Sequence, residues 1–290
     1  MPAWVTHARE WTEYLVFRLV AAVFAALPLE AAAEFSAWGW GAIAPLLPRH
    51  KRALDNLAHA FPEKSEGERD AIARAMWKNL GRTFAEFFHL PEIVAQQRVD
   101  FVPLDQFERI GASAPFVVCV PHFGNWEIAA LAGKRFGAPL AGTYQALTNP
   151  LVDRWLLEQR KSMYAGGLFP KSAATARAML RLPRQGVSPA FVADLRERNG
   201  VPTAFFGRTA MSNPFPAMLA RSLGLPVYAT CVIRTGRARF EMRIAEVAVA
   251  RTDDRDADVI AATQAVQTAF EGFVRAHPEQ WMWAHRRWER

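Results

Sequence analysis

The run from Phe116 to Val120, closed by Pro121 and followed at once by His122, Gly124 and Asn125, narrows the folds open to this chain more than any other stretch. Its apolar, valine-rich text reads as a short buried strand. Pro121 ends it, Gly124 sits in the turn, and Asn125 is placed to cap a helix opening at Trp126. A strand that turns directly into a helix is the repeating unit of α/β proteins. His122 therefore lies at the C-terminal end of a strand, the edge of an open α/β sheet where ligands bind.

Histidine is the side chain best suited to general-base work near neutral pH. It works better when a carboxylate fixes its tautomer and stabilises the imidazolium that forms. Glu127 follows His122 by five residues. On one continuous helix the two would diverge by roughly 140°, but across a turn and a helix start they can converge. The helix N-terminus also favours an ionised Glu127. Taken by itself, the pair reads first as a strand-end histidine and a glutamate that serves only as a cap, since two common residues at one spacing often coincide by chance.

The local text is more specific than the spacing. His-Phe-Gly-Asn-Trp-Glu, residues 122–127, after an apolar strand resembles the H-x4-D/E signature of the glycerolipid acyltransferase-like superfamily, and in particular the branch that adds secondary acyl chains to lipid A. Further ordered blocks carry the same resemblance over about residues 50 to 288. They are the basic start Arg49 to Arg52 before Asn56, Leu57, Phe61 and Pro62; Tyr144 with Asn149, Pro150, Leu151, Asp153 and Arg160; Phe205-Phe206-Gly207; and the tail Pro278-Glu279-Gln280 with Trp283, His285, Arg286, Arg287 and Trp288. The chain also departs from the pattern. Leu195, Arg196 and Glu197 follow Asp194 where an Asp-Gln-Asp-like text stands, Ser212 replaces a threonine, and Phe215-Pro216 falls where Gly-Pro is usual.

The resemblance implies an α/β fold, with a mixed, mostly parallel central sheet flanked by helices and an N-terminal membrane-associated helix. It implies direct transfer of a fatty acyl group from a thioester to a lipid hydroxyl, with His122 as base and Glu127 orienting and charge-stabilising it. No G-x-S-x-G elbow or activated cysteine accompanies the histidine, so no acyl-enzyme is expected. Substrate contacts are expected from Asn125, Arg160, Asp194 and Arg208. Asp194 is open to three roles: orienting His122, positioning Arg160 or binding the acceptor. Acyl carrier protein is the expected donor, its acidity matching the formal charge of +7, with acyl-CoA as the alternative. The expected acceptor is a lipid A precursor at the cytoplasmic face of the inner membrane. Other acceptors (a phosphatidylinositol mannoside, an ornithine lipid) and a catalytically silent membrane scaffold are the competing readings.

Other features bound the reading. No nucleic-acid-binding signature is present, and neither a cofactor nor a metal is expected, since two isolated cysteines and scattered histidines make no ligand spacing. Cys119 and Cys231 read as buried free thiols. Residues 1–48 form an expected N-terminal segment ahead of an acyltransferase domain at 49–290. Within it, the apolar stretch Leu19 to Leu27, closed by Pro28, falls short of the roughly 20 apolar residues that span a bilayer. An anchor, an interfacial helix and a signal peptide are the three readings, and an uncleaved membrane-associated helix is favoured by Glu10 and Glu13. Ser65 to Asp70 caps a helix expected to run to about Leu90, where Pro91 ends it. The stretch 99–110 reads as a strand or a helix edge. The charged residues Lys171, Arg177, Arg181 and Arg184 read as a solvated basic face.

Overall fold

A computed structural model describes residues 3–288. Its nine strands are β1 (Val99–Val102), β2 (Val117–Val120), β3 (Leu140–Tyr144), β4 (Gly167–Pro170), β5 (Ser188–Val192), β6 (Val201–Phe205), β7 (Arg208–Ser212), β8 (Val227–Gly236) and β9 (Arg239–Val247). Seven form one sheet in the order β1-β9-β8-β2-β5-β3-β4, and β6 and β7 pair as a separate antiparallel hairpin. From β8 to β4 all neighbours run parallel; β9 is antiparallel to β8, and β1 runs parallel to β9. The sheet is thus mixed and mostly parallel, with helices on its faces. Central strands covered on both sides lose the polar alternation of a half-exposed strand, which is why β2 is buried at every position.

The helices are α1 (Ala3–Ala26), α2 (Leu29–Ile43), α3 (Pro48–Ala60), α4 (Glu66–Glu86), α5 (Leu90–Ala95), α6 (Leu104–Ala112), α7 (Leu131–Arg135), α8 (Pro150–Lys161), α9 (Ala173–Arg181), α10 (Phe215–Leu223) and α11 (Arg255–Ala276). Local chemistry explains their ends. A reciprocal capping box between Ser65 and Glu68 starts α4, satisfying two otherwise orphaned amides. Asn149 caps α8, with Pro150 in its first turn. Gly224, at φ +72°, closes α10 in the left-handed conformation. Three expectations need correcting. Helix α4 stops at Glu86 rather than near Leu90, because a 3-10 turn (Phe87–His89) intervenes. Pro91 opens α5 instead of ending α4, since proline suits a first turn whose amide has no intrahelical partner. The stretch 99–110 divides into β1 and most of α6.

Helix α2 lies hard against α4. A Cβ on Gly81 would stand 2.8 Å from the Ser36 carbonyl oxygen, so only glycine permits this approach, and a two-pronged Arg82–Glu34 pair at 2.8 and 3.0 Å locks it. Among the described residues no helix is long and apolar enough to cross a membrane. The C-terminal tail folds back into the core. Trp281 and Trp283 are fully buried and pack edge-on at 4.7 Å, with Phe205, Phe206 and Trp288 around them. Aromatic rings bury large apolar areas, so the tail is a structural member of the fold.

Candidate active site

The sheet brings the first pair of functional residues together. Strands β2 and β5 are parallel neighbours in a register that aligns Val120 with Val192. Continuing both chains past this point sets His122 beside Asp194. The His122 amide donates to Asp194 Oδ2 at 2.8 Å, and His122 Nδ1 lies 2.8 Å from Asp194 Oδ1. An ionised carboxylate only accepts, so Nδ1 carries the proton and Nε2 is left as the basic nitrogen. Trp281 Nε1 donates to Asp194 Oδ2 at 2.8 Å. Burial by itself would raise the pKa of Asp194, but the charge and hydrogen bonds of His122 hold it well below the ordinary carboxylate range. The carboxylate on the imidazole is therefore Asp194, one of the three roles open to it, and not the expected Glu127.

Glu127 is engaged elsewhere. Arg160 Nε and Nη2 donate to its two carboxylate oxygens, each at 2.7 Å, the fork-on-carboxylate geometry that gives the strongest ion pairs. The guanidinium also lies 4.9 Å above the Phe87 ring. His122, Glu127 and Arg160 line one cavity of about 340 Å³, together with Trp126, Tyr164 and apolar residues such as Leu156. Burial, then the Glu127 charge, pushes the Tyr164 hydroxyl up to about 12, so Tyr164 is a neutral wall group. At the same cavity Tyr144 donates to Asp153 Oδ2 at 3.1 Å. Neither Asn125 nor Arg208 is among the lining residues. Asn125 is fully buried; it donates to Glu86 at 2.8 Å and accepts from the Glu127 amide at 3.2 Å. Arg208 begins β7 on the separate hairpin.

The model of the bacterial lipid A biosynthesis acyltransferases matches residues 3–290. The chain belongs to this family. A phosphatidylinositol mannoside acyltransferase of Mycolicibacterium smegmatis is 24% identical over 243 residues, 80% of this chain and 77% of that protein. Lipid A biosynthesis acyltransferase 1 of Shigella flexneri is 25% identical over 244 residues, covering 80% and 73%. A lipid A biosynthesis myristoyltransferase of Escherichia coli K12 is 33% identical over 108 residues, 36% of this chain and 33% of that protein. The protein is accordingly an acyltransferase enzyme.

The turn that holds His122 in this acyltransferase is supported by a buried polar network with no sequence signal beyond a charge at the end of an apolar helix stripe. The Gly124 carbonyl accepts from Asn79 at 3.1 Å and Thr83 at 2.9 Å, both on α4. The Gly124 amide donates to the Gln280 carbonyl at 2.9 Å. Gln280 in turn pairs with the Arg234 backbone at 2.7 and 3.0 Å. The Arg234 guanidinium holds Glu86 from both prongs and donates to Asn79 at 2.8 Å. Removing one partner of such a pair strands a buried charge, at a cost of about 3–5 kcal/mol. Glu86→Ala is therefore expected to lower unfolding stability by roughly that amount, and Arg234→Met by a similar amount. The Glu86→Ala/Arg234→Met double variant should recover much of the loss. Urea unfolding of the three variants measures this, and strict additivity would show that the two residues are uncoupled.

The tail brings a second histidine to the first. The His285 ring lies 5.0 Å from His122, centroid to centroid, and its Nε2 is buried with no hydrogen-bond partner among the described residues. Burial first, then the charge of His122, pulls the His285 pKa down to about 4, so it is neutral at pH 7. An unfolded histidine titrates near 6.5. Between these values the unfolded chain binds a proton that the folded chain refuses, so stability falls on acidification from about pH 6.5 to 4, by up to about 3 kcal/mol. Denaturant curves at pH 7 and pH 5 are expected to show this loss in the wild type, and His285→Gln is expected to flatten it. Arg287, by contrast, is a fully buried structural cation, donating to Met211, Ser212 and Gln267 at 3.0, 2.7 and 2.9 Å. It is not available to a ligand phosphate.

Proposed function

We propose that the protein moves a fatty acyl chain from an acyl thioester, acyl carrier protein being the donor, to a hydroxyl of a lipid A precursor at the cytoplasmic face of the inner membrane. The observation that carries this reading is the His122–Asp194 pair at the edge of a largely apolar cavity. Nε2 of His122 takes the proton of the acceptor hydroxyl. The oxygen attacks the thioester carbonyl, and collapse of the tetrahedral intermediate breaks the C–S bond. The departing thiolate then takes the proton back from the imidazolium, so the ring ends as it began. Asp194 orients the ring and stabilises its charged form. Glu127 fixes the fork of Arg160, which faces the polar part of the substrates. No covalent acyl-enzyme is needed. Cys119 and Cys231 are buried in strands, and burial raises both thiols to about 12.

Arg160→Lys is expected to lose the two-pronged seat of Glu127. A decrease of about 10–100-fold in kcat/KM is expected, with the fold intact, because lysine is a point charge without the planar fork. Steady-state assay of this variant beside the wild type checks it.

Helix α1 supports a place on the membrane. Its outer side leaves Trp11, Leu15, Val16, Leu19 and Val23 exposed, apolar surface that a bilayer would cover. Its inner side is seated on α8, with Phe17 against Trp155 at 5.3 Å and Asn149 donating to Glu13 at 2.9 Å. A second acceptor reading, a phosphatidylinositol mannoside, is favoured by the mycobacterial relative that matches most of the chain. Purified protein assayed with acyl carrier protein and CoA thioesters, on each acceptor, tests both readings. Mass spectrometry of lipid A with and without the gene is the companion measurement. Loss of one acyl chain is expected, and an unchanged lipid A with a changed mannoside would select the second reading.

A further inference from the structure

Away from the His122 cavity a second concavity, of about 320 Å³, opens between the end of α1, helix α2 and helix α4. Phe24, Phe35, Gly39, Trp40, Leu47 and Phe84 line it, and no charged residue does. The corner beside it, where α2 passes to α3, is unusually apolar for a surface. Leu46 is 83% exposed, Trp38 70% and Ile43 61%. A contiguous exposed patch of this kind marks an interaction site. Basic side chains flank it where α3 begins. Arg49 and Lys51 follow Leu47 at the start of α3 and are exposed. The acidic residues of α2, Glu34 and Glu30, stay partly exposed but are paired with Arg82 and Arg98.

We propose that this corner is a lipid-binding site, in which the groove takes one acyl chain of a bilayer phospholipid. Ile43 and Leu46 insert among neighbouring chains, Trp38 sits at headgroup level, and Arg49 and Lys51 meet anionic headgroups. Apolar tip, interfacial tryptophan and basic flank are the three elements of reversible bilayer docking. A second copy of this chain is a poorer occupant, because its own Arg49 and Lys51 would face the same charges. The site is independent of the acyl-transfer reading, and α1 gives it only Phe24, at the back of the groove.

Full-length protein with phosphatidylcholine vesicles, with and without phosphatidylglycerol, and with chain-brominated phosphatidylcholine, provides the test. Gly39→Leu adds bulk at the groove wall, where a Cβ would meet nothing within 4 Å, and leucine is the better helix former. Brominated chains are expected to quench part of the tryptophan emission. Trp40→Phe and Gly39→Leu should each remove the same increment, with unchanged thermal melts. Ile43→Glu/Leu46→Glu should weaken vesicle binding about tenfold or more, from the apolar area withdrawn. Phosphatidylglycerol should strengthen wild-type binding about tenfold, and Arg49→Glu/Lys51→Glu should abolish that gain. Equal quenching in wild type and Gly39→Leu overturns the proposal. So does vesicle binding that survives the corner substitutions, which would assign it to α1, and so does a self-association lost in the corner variants without change in vesicle binding.

Discussion

His122→Ala is expected to lower acyl transfer by about 10²–10⁴-fold, the range that a positioned general base contributes, while leaving the thermal melt close to that of the wild type. The ring is partly exposed to the cavity, so its removal empties no closed core. The more informative variant is Asp194→Asn. It keeps the shape, but an amide in place of the carboxylate removes the negative charge that stabilises the imidazolium and fixes the tautomer. Its oxygen can serve the ring or the Trp281 indole, whereas the carboxylate now serves the ring, the His122 amide and Trp281 together. A kcat loss comparable to that of His122→Ala is therefore expected, and the double variant should be scarcely worse than either single one. Single-turnover assays of the three variants decide the matter. Wild-type kcat in Asp194→Asn would remove Asp194 from the mechanism.

Gly124→Ala is expected to be the most destabilising single substitution near the site, by more than about 4 kcal/mol, a magnitude reserved for specific structural failures. Gly124 adopts φ +55°, and an added Cβ would stand 1.7 Å from the Val232 carbonyl oxygen. Neither the backbone of β8 nor the turn can yield without breaking the Gly124 bonds to Asn79, Thr83 and Gln280. Thermal melts should show a large drop in Tm, and any protein that folds should have lost acyl transfer, since His122 lies two residues earlier. A variant with normal Tm and activity would mean that the turn is far softer than this packing implies.

Much of the architecture was legible because it is local. A continuous apolar run before His122 specifies a strand buried on both faces, a proline and a glycine specify the turn, and Ser65 with Glu68 specifies a helix start. Ordered blocks such as Phe205-Phe206-Gly207 and the tryptophan-rich tail carried the family resemblance that the full-length family match now shows. Where local rules met tertiary competition they slipped. The apolar stripe through Phe84 and Phe87 runs on past Glu86, yet the helix stops there.

By itself, then, the sequence determined the strand–turn text around His122, the α/β class and the set of polar residues from which a site can be built. Which of them meet was decided only by tertiary structure. Glu127 is five residues from His122, yet the carboxylate on the ring comes from Asp194, 72 positions away. That choice depends on β2 and β5 being parallel neighbours in one register. The order of strands in a sheet is settled by long-range packing, which leaves no periodicity in either segment. Likewise Glu86, Arg234 and Gln280 bear no mark of partnership until β8, α4 and the tail converge. A buried charge must find its counter-charge wherever the fold supplies one, and only the folded chain shows where that is.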